Sequence, residues 1–331
     1  MFQTAFMGDV ILLTGLLRAV KRAFPRAELI AVVLPECAEL VSGWPDRTFT
    51  VAKHSDQAAQ EWIQLYNDLH QIKFAAALIP HRSLRSARFI KSLEIPVRIG
   101  FTRGSGQWFH THRVAYTQNL YEGARNLNLL RLLTQTDDSG LPELKIPTEC
   151  LERANQVLHE LSLGNKPFAV LAPGSIWKTK RWPIEHFRSL ASTLRITYGL
   201  SSIVVGGKKD CELGATLAAS GCYDLVGKLN LMETAALMKR AKIVISGDSA
   251  PAHLATAVGV NQSVIFGSTS PRLGFMPQTP SARALGLEMW CRPCTDHGRN
   301  SCPRSAEIPC LDQITPETVI EKLEDWLTNR A

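Results

Sequence analysis

Two short segments of this chain carry residue types that suit a diphosphate. In the first, the β-branched run Ala241 to Ile245 ends in Ser246-Gly247-Asp248, and Ser249, Ala250, Pro251 and small residues continue to Gly259. The order reads as strand, polar turn and helix, with Ser249 as N-cap, Pro251 in the first turn and Gly259 as the stop. The N–H groups at Ser249 and Ala250 and the positive end of the helix dipole then point at one spot suited to an anion. An ordinary capped helix shows the same pattern, and His253 within it reads equally as a packed helix residue. The second segment tips the balance. Phe168 to Leu171 leads into Pro173-Gly174-Ser175-Ile176-Trp177-Lys178-Thr179-Lys180-Arg181-Trp182-Pro183. Three cations between two Trp residues at a strand's C-terminal end differ from a merely solvated charge run, because ligands of open α/β sheets bind at that end.

Other side chains invite chemistry with less force. Asp9, in Gly8-Asp9-Val10, sits where a first strand turns into a helix, and on its own reads as a charge favouring a helix N-terminus. Between His81 and Arg113 there are seven Lys or Arg (Arg82, Arg85, Arg88, Lys91, Arg98, Arg103, Arg113) against one acid, Glu94. Arg82, Arg85 and Arg88 recur at helical spacing and are expected to share a face. Such a face is solvated in many proteins, yet it also suits carboxylates and phosphates, which Arg binds bidentately. The Gly104-Ser105-Gly106-Gln107-Trp108 stretch reads as a mobile loop that orders with its ligand. Cys291, Cys294, Cys302 and Cys310 follow a Cys-x2-Cys-x7-Cys-x7-Cys pattern. Four thiols can hold tetrahedral zinc, but this pattern lacks the paired spacing of zinc ribbons, so no metal site is assigned.

The elements that must position these groups alternate. The opening strand is short and is expected to have little to pair. It leads into an amphipathic helix with Ile11, Leu12, Leu16, Leu17 and Val20 on one face and Arg18, Lys21 and Arg22 elsewhere. Strands are predicted over 28–34 and 75–79, with a helix over 56–69 between them. A linker (141–147) and a helix (149–162) lead to a second series. There a strand over 201–205 ends in Gly206-Gly207-Lys208-Lys209-Asp210 and a helix runs from Cys211 to Ala219. A short strand then precedes Val226-Gly227-Lys228-Leu229, and a last helix covers 315–327. Strands alternating with helices imply parallel sheets covered on both faces. The dinucleotide fingerprint Gly-x-Gly-x-x-Gly is absent from the 201–210 strand end.

A length of 331 residues implies two domains, placed at 1–161 and 162–331. With 45% hydrophobic and 20% charged residues the composition is that of a globular protein, and a net charge of +7 favours an anionic partner. No run approaches the roughly 18 apolar residues of a membrane span. The N-terminus lacks a basic start and carries Asp9 within its apolar run, so it is not read as a signal peptide. The chain is expected in the cytoplasm, with its cysteines as thiols. No nucleic-acid recognition motif is present.

The four blocks Thr4-Ala5-Phe6-Met7-Gly8-Asp9-Val10, Pro173-Gly174-Ser175 with Lys178-Thr179-Lys180-Arg181-Trp182-Pro183, Gly247 to Leu254, and the Cys-rich tail before Ile314-Thr315-Pro316 occur in one order along nearly the whole chain. In this the chain resembles the bacterial heptosyltransferases of glycosyltransferase family 9, lipopolysaccharide-core enzymes. The resemblance implies an α/β fold of GT-B type, two doubly wound Rossmann-like domains facing across a cleft, with the last helix crossing back to the first domain. It implies an inverting transfer of heptose from ADP-L-glycero-β-D-manno-heptose to an anionic acceptor, Kdo-lipid A or the same core with one heptose added. The lysine-rich loop looks more like that of the enzyme adding the second heptose. Asp9 would be the base, and Lys180 would neutralise charge on the departing ADP. Ser175, Ile176, Lys178, Asp248, Ser249, Ala250 and His253 would hold the diphosphate, Leu229 would lie against adenine, and Asp210 or Glu212 would take the ribose. Arg82, Arg85, Arg88 and Arg103 would meet the acceptor. No cofactor is expected, and contact with the inner face of the inner membrane would be transient. Another nucleotide-sugar transferase or epimerase, or a silent binding protein, shares the fold-level implications.

Overall fold

Met1-Phe2-Gln3 is far shorter than an ordinary strand, yet it lies at the centre of a sheet. The computed structural model describes residues 1–53 and 57–328. In it the Phe2 N–H donates to the Leu78 carbonyl (3.1 Å), the Gln3 N–H to Val32 (2.9 Å), and the Val32 N–H back to Met1 (2.9 Å). The segment therefore joins β1 (Ile30–Val33) to β3 (Ala76–Ile79), which corrects the expectation of little pairing. β1 also pairs with β2 (Arg47–Thr50), and β3 continues to β4 (Val97–Phe101) and β5 (His112–Val114), all in parallel. With the opening segment counted as the first strand, the spatial order is third, second, first, fourth, fifth, sixth. Phe2 is fully buried and packs against Trp62 and Phe89.

The chain divides into Met1–Lys145 and Ile146–Ala331. The first unit holds α1 (Met7–Ala23), α2 (Ala38–Val41), α3 (Ala58–His70), α4 (Leu84–Ser92) and α5 (Glu122–Leu130). Asp56, the expected start of α3, lies outside the described residues. α1 is not the amphipathic helix anticipated. Residues 10 to 19 are buried all round because α2 and α5 both pack on it, and Arg18 sits inside, bonded to Asp138 (2.6 and 2.9 Å) and Glu143 (2.9 Å). Glycines let α1 and α5 approach the same backbone. A Cβ on Gly123 would overlap the Gly140 carbonyl oxygen, and one on Gly15 would come within 2.6 Å of it. That contact sets the middle of α1 beside the first turn of α5.

The second unit has one six-stranded parallel sheet: β6 (Phe168–Ala172), β7 (Ser201–Val204), β8 (Tyr223–Asp224), β9 (Ile243–Gly247), β10 (Gln262–Ile265) and β11 (Ala282–Leu285). Its order is β11-β10-β9-β6-β7-β8, the same outward winding as in the first unit, with its switch point between β6 and β9. The helices are α6 (Thr148–Glu160), α7 (Ile184–Tyr198), α8 (Cys211–Ala218), α9 (Leu231–Arg240), α10 (Ala250–Val258), α11 (Pro309–Asp312) and α12 (Pro316–Thr328). The expected division after residue 161 moves to 145, because α6 packs on α9 and the Arg240 guanidinium donates to Asn155. The last helix, α12, packs on α7, buries Val319, Leu323 and Leu327 in this unit's core, and ties Arg283 to Asp325.

Gly123→Ala is expected to cost about 1–3 kcal/mol through overpacking of α5 against the 140 backbone. A lower urea midpoint with an unchanged m-value would read it; an unchanged midpoint would mean that the approach of α1 and α5 is not tight.

Candidate functional site

In the second unit the switch point collects the residues read from the sequence. Gly174 follows β6 and Gly247 closes β9, and the lysine loop bridges them. A Cβ on Gly247 would meet the Lys180 carbonyl oxygen at 2.5 Å, and one on Gly267 would overlap that of Thr179. The loop backbone thus rests on the ends of β9 and β10. From there Lys180 Nζ reaches Asp248 Oδ2 at 2.7 Å, with both side chains largely buried. Thr269 Oγ1 donates to the same carboxylate oxygen at 2.7 Å. The two segments therefore converge on one place.

Beside this pair α10 begins at Ala250, with Pro251 in its first turn and a left-handed Gly259 (φ 73°) closing it. Ser249 occupies the N-cap position, but its side chain does not cap; its hydroxyl lies 3.5 Å from the Gly247 carbonyl. Pro251 has no N–H and the Ala252 N–H donates to the Ser249 carbonyl (3.0 Å), so the uncapped start leaves the Ala250 N–H to a ligand or water. His253 is buried one turn on, and its Nδ1 has no hydrogen-bond partner among the described residues. Burial is the main cause of a pKa lowered to about 4; Lys180 lowers it further while Asp248 opposes. At neutral pH this ring is uncharged, so it can offer a hydrogen bond to an anion but no charge.

The remaining second-unit residues sort by exposure. Ser175 carries structure: its hydroxyl accepts from the Trp177 N–H (3.4 Å) and its carbonyl from Arg181 Nε (2.7 Å). Ile176 and Lys178 are exposed. The two acids left open by sequence, Asp210 and Glu212, differ in their surroundings. For Asp210 these are close. Its carboxylate caps the Gly207 N–H (3.0 Å) and lies where a Cβ on Gly174 would come within 2.5 Å, whereas Glu212 is exposed on α8. Leu229, half-buried, follows a turn held by a bond from the Gly227 N–H to the Gly206 carbonyl (2.9 Å). Among the described residues no group of three or more His, Cys, Asp or Glu is arranged to hold a metal ion. Cys291, Cys294, Cys302 and Cys310 are free thiols, and Arg292 among them binds the carbonyls of Gly267 (2.5 Å), Phe266 and Thr269 (2.9 Å each).

In the first unit Asp9 is three residues past the extended Phe6 that starts α1, and a backbone hydrogen bond at Phe6 serves its carboxyl group. It thus does the helix-start work expected of an acid there. It also has a second character. Desolvation first and the Glu122 carboxylate second push its pKa up to about 7, against the Phe6 bond and the charges of Arg82 and Lys53. A carboxyl group poised there accepts a proton readily near neutrality.

The arginines expected to line one helical face do not do so. Ser83 caps α4, so Arg82 precedes the helix and its guanidinium lies 4.1 Å from the centre of the Tyr116 ring. Arg85 instead reaches Trp62 (5.9 Å) and the Lys53 carbonyl (3.3 Å), while Arg88 is exposed. Arg103 lies 5.8 Å from the Tyr116 ring centre. The following loop is packed rather than loose. A Cβ on Gly104 (φ 137°) would meet Arg82, and one on Gly106 would meet Ala87. Lys53, Tyr116, Glu122 and Arg125 were missed. Glu122 and Arg125 at i,i+3 look in sequence like a solvent-exposed helix pair. In the structure both are buried and joined, and only their place among apolar residues hinted at it.

Known proteins share this architecture. A solved glycosyl transferase family 9 protein from Veillonella parvula superposes with a TM-score of 0.85 at 21% identity, over 98% of this chain and 96% of that one. E. coli ADP-heptose lps heptosyltransferase II does so at 0.76 and 22%, over 98% and 97%; this likeness establishes the GT-B fold. Lipopolysaccharide heptosyltransferase 2 of Salmonella typhimurium is 25% identical over 352 aligned positions, 99% of this chain and 97% of that protein. Residues 62–302 match the model of Glycosyltransferase family 9 (heptosyltransferase). With two outward-wound parallel sheets and a lysine–carboxylate pair at a helix start, the chain belongs to glycosyltransferase family 9, the heptosyltransferases.

Proposed function

We propose that this enzyme moves L-glycero-D-manno-heptose from ADP-heptose to the inner core of lipopolysaccharide, Kdo-lipid A or heptosyl-Kdo-lipid A, with inversion. The observation that carries the reading is the Lys180–Asp248 pair beside the uncapped start of α10. A cation and helix N–H groups in one place suit the charge that grows on a departing diphosphate. The acceptor hydroxyl gives its proton to Asp9 as its oxygen bonds to the anomeric carbon. The bond from that carbon to the β-phosphate oxygen breaks, and ADP leaves with the electron pair. Asp210 would take the ribose, Leu229 the adenine, and Ser175, Ile176 and Lys178 would border the phosphates. Arg82, Arg85, Arg88 and Arg103 would draw the acceptor's carboxylates and phosphates. No described helix is long and apolar enough to cross a membrane; we place the enzyme in the cytoplasm, touching the inner membrane transiently to reach a lipid-borne acceptor.

The test is release of the nucleoside diphosphate, ADP from ADP-heptose or UDP from UDP-sugars, each with Kdo-lipid A and with its heptosylated form. Turnover of ADP-heptose alone is expected, with the heptosylated acceptor preferred. Faster use of a UDP-sugar, or no acceptor-dependent turnover, sinks the reading.

Because the base must be ionised, kcat/KM should rise about tenfold per pH unit below about 7 and level off above it. Asp9→Asn should remove that acid limb and about 10²–10⁴-fold of the rate. An unaltered profile in the variant would displace Asp9 from the role. Lys180→Ala is expected to lower kcat by about 10²–10³-fold, measured under donor saturation. Asp210→Asn should raise the donor KM by about 10-fold, in keeping with loss of a charged hydrogen bond, while Glu212→Gln leaves it unchanged. The reverse pattern would assign the ribose to Glu212.

A further inference from the structure

Tyr116 belongs to none of the blocks by which the site was read, yet more charge gathers on it than on any other ring described above. The Arg125 guanidinium lies 4.0 Å from its ring centre and that of Arg82 lies 4.1 Å away, with Arg103 at 5.8 Å. Phe101 meets it edge-on at 5.3 Å. The hydroxyl donates to Glu122 Oε2 (3.3 Å) and accepts from Arg125 Nη1.

Arg125 is an immovable support. It is fully buried, its charge is matched by Glu122, and it donates to the carbonyls of Thr117 (2.9 Å), Gln118 (2.7 Å) and Leu120 (2.6 Å). Breaking up so buried a pair is costly, so the ring on top of it keeps one orientation. Arg82 is different: half-exposed, backed by the Gly104 turn, and close enough to Asp9 and Glu122 for its charge to act on both carboxyl groups. A guanidinium spread on an aromatic face keeps its N–H edge available for a planar anion, where otherwise it would collapse onto the nearest carboxylate.

We propose that Tyr116 is a positioning residue, an aromatic platform mounted on the buried Arg125–Glu122 pair that holds the Arg82 guanidinium flat beside Asp9 to receive a carboxylate or phosphate of the acceptor. This rests on the transferase reading for the identity of the acceptor, but not for the platform itself. The platform sets where the acceptor's charge is anchored relative to the base, and so acts on acceptor binding rather than on the donor.

The full-length chain is tested in three arms. In NMR spectra the Arg82 Nε–Hε signal, assigned by its loss in Arg82→Lys, is expected to be ring-current shifted; it should return to the ordinary position in Tyr116→Leu and stay shifted in Tyr116→Phe. An unshifted signal in the wild type overturns the platform, whatever the enzyme transfers. Binding of the deacylated Kdo-bearing saccharide phosphate, without donor, is followed by calorimetry. Tyr116→Leu should weaken it about 10-fold, as expected for loss of a part-desolvated cation–π contact, and Tyr116→Phe by less than about threefold. In turnover, Tyr116→Leu should raise the acceptor KM by a similar factor with kcat and the donor KM nearly unchanged. Arg82→Ala/Tyr116→Leu should then be no worse than Arg82→Ala. Additive losses, or equal defects in kcat and donor KM, overturn the proposal as a structural effect. A wild type that binds the saccharide with this dependence on Tyr116, yet turns over no ADP-heptose, instead removes the transferase reading and leaves the platform standing.

Discussion

A sheet wound outward in both directions from its first strand leaves the loop after that strand without a crossover helix above it on one side. Each unit of this chain obeys that constraint, and each gathers charged side chains at the uncovered place. In the second unit Gly174, Lys180 and the start of α10 meet there, between β6 and β9. In the first, the place after the opening segment is taken by the first turn of α1 and hence by Asp9. The opening segment is only three residues long, but bonds on both edges hold it as firmly as a longer strand at a sheet's rim.

Two carboxylates serve opposite ends of the proposed reaction because their surroundings differ. Asp248 lies against an ammonium group and a hydroxyl, both at 2.7 Å. Among the described residues no ion pair is formed by Asp9. A second carboxylate, Glu122, acts on it across the α1–α5 contact, and desolvation does most of the rest. Surroundings thus let one carboxyl group stand ready as the proposed proton acceptor, while the other holds an ammonium group in place. His253 fits this scheme as a neutral ring, since burial keeps a second positive charge out of the space that Lys180 occupies.

Much of this was legible in the chain's residues. The strand–turn–helix signature at 241–259 and the cationic loop at 178–181 are local patterns, and local patterns survive folding. The alternation of strands and helices gave the architecture for the same reason. What could not be read depends on contacts between distant segments. Arg82 stands outside the helix that carries Arg85 and Arg88 because Ser83 caps α4. Glu122 and Arg125 look like surface residues until α5 is laid against α1. That Asp210 is set against a loop some 35 positions earlier, while Glu212 is exposed, depends on the room that Gly174 leaves. The domain boundary moved because α6 finds its partner in α9, far along the chain.

The lysine loop is seated on the sheet through the carbonyls of Thr179 and Lys180 against Gly267 and Gly247. Its anchorage is thus main chain on main chain together with inward side chains, the Thr179 hydroxyl on Ser268 (2.8 Å) and Lys180 on Asp248, and does not involve the outward positions. Ile176 and Lys178, standing clear of that seat, are available for change at little cost to folding. Changes there leave the loop's seat on the sheet as it is.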